Sequence, residues 1–132
     1  GHGTAIARVM SSYEELRAKH KTEVEERRAK VYEKIPRVRE IEEEIRNIGL
    51  QISKVMLSGT VDVKSKIKEM KKNVDRLNEE KAFLMTENNF TIEYMDLTYN
   101  CVLCKDTGTL DTGGRCSCFS KKLEKIQKPD IT

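Results

Sequence analysis

The sequence predicts a mainly α-helical protein, in which long helices form an antiparallel hairpin or bundle and are followed by a small β-hairpin and a short C-terminal helix. Three observations predict this class. Apolar residues recur at helical spacing through most of the chain, charged residues make up 36% of it, and all four cysteines fall close together near its C-terminal end. Hydrophobic residues reach only 37% and tryptophan is absent, which is typical of slender helices with wide solvated faces.

A first helix is predicted from Ala5 to Ile35. Its apolar seam is imperfect, because Arg17, His20 and Arg27 fall in the same register as the apolar residues. Pro36 should end this helix and begin the next one, since proline disfavours helix at the residue before it and fits the first turn of a helix. His20 is expected to lie on the helix surface, because the sequence offers it no evident partner.

Two regular apolar stripes predict a helical hairpin, because their residues step by three and four positions. Gly59 should end the first helix and Thr60 should cap the second. Two helices joined by so short a turn should fold back on each other with their stripes facing. The first stripe consists of Val38, Ile41, Ile45, Ile48, Ile52 and Val55, and the second of Val63, Ile67, Met70, Val74 and Leu77.

The cysteines form two close pairs, Cys101 with Cys104 and Cys116 with Cys118, on either side of a segment rich in glycine and aspartate. A Cys-x-x-Cys knuckle can point both sulfurs at one centre, and an extended strand would place the sulfurs of Cys-x-Cys on one face. The spacing therefore predicts a short hairpin clamped at its base by zinc. Four thiolates complete a tetrahedron, so this zinc would be structural and not catalytic.

Other uses of the four thiols remain open at this point. They could form two disulfides, a Cys-x-x-Cys redox pair or an iron–sulfur cluster. No secretory signal is evident, and a disulfide within Cys-x-Cys would be strained, which favours the metal. A segment with so few apolar residues also cannot bury enough surface to fold alone, whereas zinc binding contributes roughly 10–16 kcal/mol in finger peptides.

Length and charge bound the organisation of the chain. We expect one integrated domain of 132 residues: a tag remnant at 1–3, a helical framework at 4–98, and a zinc-binding hairpin with a C-terminal helix at 99–132. The net charge of +3 is too small and too evenly spread to indicate nucleic acid. No apolar run is long enough to cross a membrane, so we expect no membrane partner and a cytoplasmic location.

Three strings of the sequence resemble a known family. They are Tyr32-Glu-Lys-Ile-Pro-Arg-Val-Arg-Glu-Ile41, Tyr99-Asn-Cys-Val-Leu-Cys-Lys-Asp-Thr-Gly108 and Gly114-Arg-Cys-Ser-Cys-Phe119. Together with the helical hairpin, they resemble the N-terminal domain of bacterial replicative-helicase loaders of the DnaC/DnaI type, from Gram-positive, clostridia-like bacteria. The resemblance covers residues 31–123. The resemblance implies that this domain binds the hexameric replicative helicase and that the domain's four cysteines are zinc ligands.

The same family carries a following AAA+ ATPase domain, which binds ATP and single-stranded DNA. The phosphate-binding string Gly-x-x-x-x-Gly-Lys-Ser/Thr does not occur in this sequence, so we interpret the chain as an isolated, non-enzymatic N-terminal domain that recruits the helicase. Two alternatives stay open. One is a zinc-ribbon module that binds nucleic acid through Lys121, Lys122, Lys125 and Lys128. The other is a coiled-coil adaptor that associates with itself.

Overall fold

The computed structural model describes residues 2–59 and 62–127, except for the side chain of His2. These residues form four helices: α1 (His2–Lys34), α2 (Pro36–Ser58), α3 (Val63–Glu87) and α4 (Ser117–Gln127). The predicted mainly α-helical class is confirmed. Thr60, which was predicted to cap α3, Gly1 of the predicted tag remnant, and residues 128–132 lie outside the described residues.

Proline and glycine place the helix ends where the sequence predicts them. Ile35 leaves the helical conformation with φ −134°, and Pro36 occupies the first turn of α2. At the other end of α2, Gly59 adopts a left-handed conformation with φ +62°, which glycine reaches without a steric penalty. α2 and α3 are therefore separate helices.

Helices α2 and α3 pack against each other as an antiparallel pair. Arg37, at the start of α2, donates a hydrogen bond of 2.8 Å from Nε to Oε2 of Glu80, near the end of α3. Farther along α2, Glu42 accepts a hydrogen bond from Lys81 Nζ at 3.3 Å. Since residues early in one helix meet residues late in the other, the chain folds back on itself. The predicted helical hairpin is confirmed.

Contacts divide the chain into two compact units. The first, here called the cysteine module, comprises the described residues of 1–25 and 96–132, and the second, the hairpin unit, comprises those of 26–95. The sequence predicts a division at residue 98, with all of α1 in the helical framework. The structure assigns the first part of α1 to the cysteine module, because its apolar residues pack against the cysteines and α4.

The hairpin unit has a small apolar core and a half-buried polar network. Its core residues are Val31, Ile35, Val38, Met85 and Met95. The network centres on the Glu42 carboxylate, which accepts hydrogen bonds from the hydroxyl of Tyr32 and, at 2.9 Å, from Nη1 of Arg28. Burial raises the pKa of Glu42, but these hydrogen bonds and the charges of Lys81 and Arg28 outweigh it, so the pKa lies below its usual range. The carboxylate therefore links α1, α2 and α3 in its ionised form.

Among the described residues, none of the helices combines the length and the apolar character needed to cross a bilayer.

Candidate metal centre

The four cysteine sulfurs lie together in the cysteine module. All of them fall within 4.8 Å of one another, and all four are free thiols. The sulfurs of Cys101 and Cys116 are 3.6 Å apart, and those of Cys104 and Cys118 are 3.5 Å apart. In a tetrahedron with metal–sulfur bonds of 2.3 Å the sulfurs stand about 3.8 Å from one another. The four thiols therefore fit one metal ion.

The first cysteine pair lies on a tight knuckle whose backbone turns back on itself. Lys105 and Asp106 follow Cys104 with φ +54° and +55°, and Gly108 has φ +78°. The Thr107 N–H donates to the Cys104 carbonyl at 3.2 Å, and the Thr107 hydroxyl donates to the same oxygen at 2.6 Å. These bonds hold a left-handed conformation that non-glycine residues rarely adopt. The knuckle is thus fixed by local hydrogen bonds as well as by any ion.

The second pair differs from the prediction. An isolated antiparallel bridge joins Thr109 to Arg115. The described residues form no β-strand longer than this bridge, so the expected β-hairpin is reduced to a loop. The prediction of an extended strand through Cys116 and Cys118 is wrong, because α4 begins at Ser117 and contains Cys118. The helical conformation is favoured here because it packs the apolar face of α4 against the module's core.

That core joins α1 to the cysteines. Its buried residues are Val9, Tyr13, Cys104, Cys116 and Phe119, with Leu123 and Ile126 of α4 packed against them. The Tyr13 ring is fully buried and stacks on the Phe119 ring at a centroid distance of 6.3 Å. The packing of α1 against the cysteines was not predicted from the sequence. The steps of three and four residues from Ile6 to Val9 to Tyr13 are a pattern that could have indicated a buried face.

Asp106 is a buried acidic residue of the cysteine module, and its carboxylate holds the backbone at the start of the knuckle. It is fully buried, and it accepts hydrogen bonds from the backbone N–H groups of Asn100 at 3.0 Å and Cys101 at 2.8 Å. Nε2 of His20 lies 3.7 Å from the same carboxylate. Arg17 adds a hydrogen bond of 2.6 Å from Nη1 to the Asp106 carbonyl oxygen. Two residues of α1 thereby hold the backbone beside Cys101, the first candidate ligand.

The expectation that His20 lies on the helix surface is wrong. Its side chain is only 12% exposed. Nε2 lies 2.9 Å from Oδ1 of Asn100, and Nδ1 lies 3.2 Å from the Thr98 hydroxyl. Glu23 Oε1, one turn along α1, lies 3.6 Å from Nδ1. Asn100 and Thr98 lie about eighty positions away in sequence, so helical spacing could not indicate them.

The protonation of the Cys118 thiol depends on its surroundings. Burial, the largest cause, and hydrogen bonds with the neighbouring cysteines together raise the pKa of the Cys118 thiol to about 12, although the hydrogen bond with Tyr13 lowers it. Burial also raises the pKa of Tyr13, so its hydroxyl remains protonated. A metal ion must displace the thiol protons when it binds, and acidification should therefore release it.

Tyr13 is the side chain best placed to stabilise a thiolate ligand. Its hydroxyl oxygen lies 2.9 Å from Cys118 Sγ, and a protonated phenol donates to a thiolate. Replacing Tyr13 with phenylalanine keeps the stacked ring and removes this bond, so we expect metal affinity to fall about tenfold, as on loss of other groups that bond metal ligands. Competition with a chromophoric chelator measures the change.

A matched control exists in the hairpin unit. Tyr32→Phe also removes one hydrogen-bonded hydroxyl, but that hydroxyl bonds Glu42 rather than a cysteine. Tyr32→Phe should leave metal affinity unchanged. Equal affinities for Tyr13→Phe and the parent chain would show that the Tyr13 hydroxyl does not support the site.

The residues of the nucleic-acid alternative are only partly available. Lys122 Nζ lies 4.8 Å from the centre of the Tyr13 ring and 3.4 Å from the Ser12 hydroxyl, so it is engaged within the module. Lys121 and Lys125 are exposed, and Lys128 lies outside the described residues.

Comparison of this chain with protein-family models, with curated proteins and with solved structures found no match in any of the three.

Proposed function

We propose that this chain is the helicase-binding domain of a bacterial replicative-helicase loader and that a structural zinc ion holds its cysteine module together. One observation supports the proposal, and it concerns the cysteine-containing string that resembles the loader family. The same string folds around the candidate metal site. In this string Cys101 and Cys104 offer two sulfurs, Asp106 bonds the backbone, and Gly108 lies against Tyr13. Each of these residues has a structural role in one compact segment, which supports the proposal.

Zinc is the ion that this donor set favours. Four thiolates in a tetrahedron suit zinc or iron, and zinc requires no redox chemistry or sulfide. When bound, the ion would supply folding free energy and no open position for a substrate. The four cysteines would hold it and α1 would support them. The ion would therefore have a structural role, which agrees with a domain that recruits a partner rather than with an enzyme.

Apolar residues at the tip of the knuckle offer a contact surface for the helicase. Val102 and Leu103 lie between the first two cysteines, and they are 73% and 68% exposed. Large apolar side chains that stand in solvent together are typical of surfaces that a partner covers. Because the metal fixes the knuckle, the contact would depend on the metal.

Size-exclusion chromatography with the replicative helicase of the source organism tests the proposal. We expect the metal-loaded chain to co-elute with the hexamer at tens of micromolar. Val102→Ser with Leu103→Ser should abolish co-elution while leaving metal content unchanged. Leu50→Ser, an exposed apolar residue on α2, is the matched control and should have no effect.

Two results would contradict the proposal. Absence of a complex between the metal-loaded chain and the helicase at that concentration would remove its basis. A stable dimer of the chain alone would favour the coiled-coil adaptor instead, because that alternative predicts self-association through the helices.

A further inference from the structure

A cavity lies between α1 and the segment that leads into the knuckle, wholly within the cysteine module. Its volume is about 380 Å³, and its lining includes Arg17 and Lys21 on one side and Leu97, Tyr99, Lys105 and Asp106 on the other. Ligand pockets in proteins fall between about 300 and 1,000 Å³. This cavity therefore has room for one or two side chains of a partner.

The charge that this cavity presents is positive. Asp106 is the carboxylate of the lining, and both of its oxygens accept backbone N–H groups, from Asn100 and Cys101. Arg17 is oriented by its bond to the Asp106 carbonyl, which engages one nitrogen of a guanidinium that carries five N–H donors. The lysines of the lining, Lys21 and Lys105, are exposed. A ligand would therefore meet three cations.

The walls between these cations are apolar. Leu97 is 50% exposed, and the half-buried ring of Tyr99 lies beside it in the lining. An apolar wall with cations at its edge complements an apolar side chain flanked by carboxylates. A nucleotide strand would use the cations and the Tyr99 ring, but it would leave the aliphatic surface of Leu97 without a matching group.

We infer that this cavity is a docking site for an acidic peptide segment of a partner protein, with one apolar side chain seated against Leu97 and Tyr99. Carboxylates on either side of that side chain pair with Arg17, Lys21 and Lys105. The site does not depend on the identity of the partner, so it stands whether or not the helicase binds. The Asp106 bonds that shape one wall adjoin the first metal ligand, so docking requires the folded knuckle.

The inference is tested with synthetic peptides and the ¹⁵N-labelled, metal-loaded chain. Five peptides of sequence Glu-Asp-x-Glu-Asp carry Leu, Ile, Met, Phe or Ser at the central position, and amide shifts are followed by NMR to millimolar peptide. We expect at least one of the apolar peptides to shift the amides of residues 97–99 and 105–106. The serine peptide should bind at least tenfold more weakly.

Charge reversal and apolar removal test the two halves of the site. Lys21→Glu with Lys105→Glu should weaken binding of the best peptide about tenfold, as should Leu97→Ser. Lys30→Glu, an exposed lysine of α1 in the hairpin unit, is the matched control and should bind normally. Metal content and dispersion of the NMR spectrum establish that each variant is folded.

Three outcomes would overturn the inference. They are the absence of shifts with every peptide, equal binding of the serine peptide, and tighter binding of oligothymidylate than of any peptide with shifts at the same amides. The last result would reassign the cavity to single-stranded nucleic acid. None of these outcomes bears on co-elution with the helicase, so the two proposals can fail separately.

Discussion

Replacing Cys104 with serine, or removing the metal ion, is expected to unfold the cysteine module while the hairpin unit stays folded. Two of the five buried residues in the module's core are cysteines, and the segment between residues 97 and 116 contains no helix or named strand among its described residues. Ordering such a segment costs about 1–2 kcal/mol per residue, which so small a core cannot offset. Structural zinc contributes roughly 10–16 kcal/mol, so its loss should be decisive.

Hydrogen exchange measured by mass spectrometry separates the two units. Peptides from residues 97–127 and from the first part of α1 should lose protection when the metal is removed, whereas those from α2 and α3 should keep theirs. Ser117→Ala, a change at the exposed residue between Cys116 and Cys118, is the control and should retain both metal and protection. Unchanged protection of residues 97–116 in a sample shown to be metal-free would contradict this expectation.

Gly108→Ala is expected to destabilise the same module by about 2–5 kcal/mol. A Cβ at this position would lie 2.6 Å from Cε2 of Tyr13 and 3.1 Å from Cδ2 of Phe119. Relief of that clash would force apart two rings that are packed in the core, which costs about 1–3 kcal/mol. The φ of +78° adds about 1–2 kcal/mol for any residue with a Cβ. Thermal denaturation of the metal-loaded chain measures the sum.

The chain offers two controls that separate these causes. Gly113 also has a positive φ, +94°, but nothing lies within 4 Å of its Cβ position, so Gly113→Ala should show the conformational cost alone. Gly114 has neither a close neighbour nor a positive φ, and Gly114→Ala should change stability by less than about 0.5 kcal/mol. If Gly108→Ala and Gly113→Ala proved equally destabilising, the close approach to Tyr13 would have no energetic weight.

Features set by local chemistry could be predicted from the sequence. Pro36 and Gly59 act through their own backbone preferences, and both mark helix ends in the structure. The stripes of α2 and α3 follow from the helical repeat. The four cysteines could be predicted as candidate metal ligands because a tetrahedral ion needs two close pairs of thiols, whether these lie in a loop, a strand or a helix.

Features that depend on distant residues could not be predicted in the same way. The spacing of Cys116 and Cys118 suits both a strand and the start of a helix, and the choice depends on where Phe119 must pack. His20 and Asp106 read as a surface residue and a turn residue, but they meet because α1 lies beside the knuckle. The division of the chain within α1 likewise depends on tertiary packing.

The bond between Tyr13 and Cys118 joins residues 105 positions apart, and that between Ser12 and Lys122 joins residues 110 positions apart. During synthesis the ribosome therefore releases the first part of α1 long before its packing partners exist. The two helices that follow find their contacts within their own stretch of chain and can fold earlier. A nascent chain arrested ahead of residue 116 would display bare Val9 and Tyr13, an apolar surface that chaperones recognise.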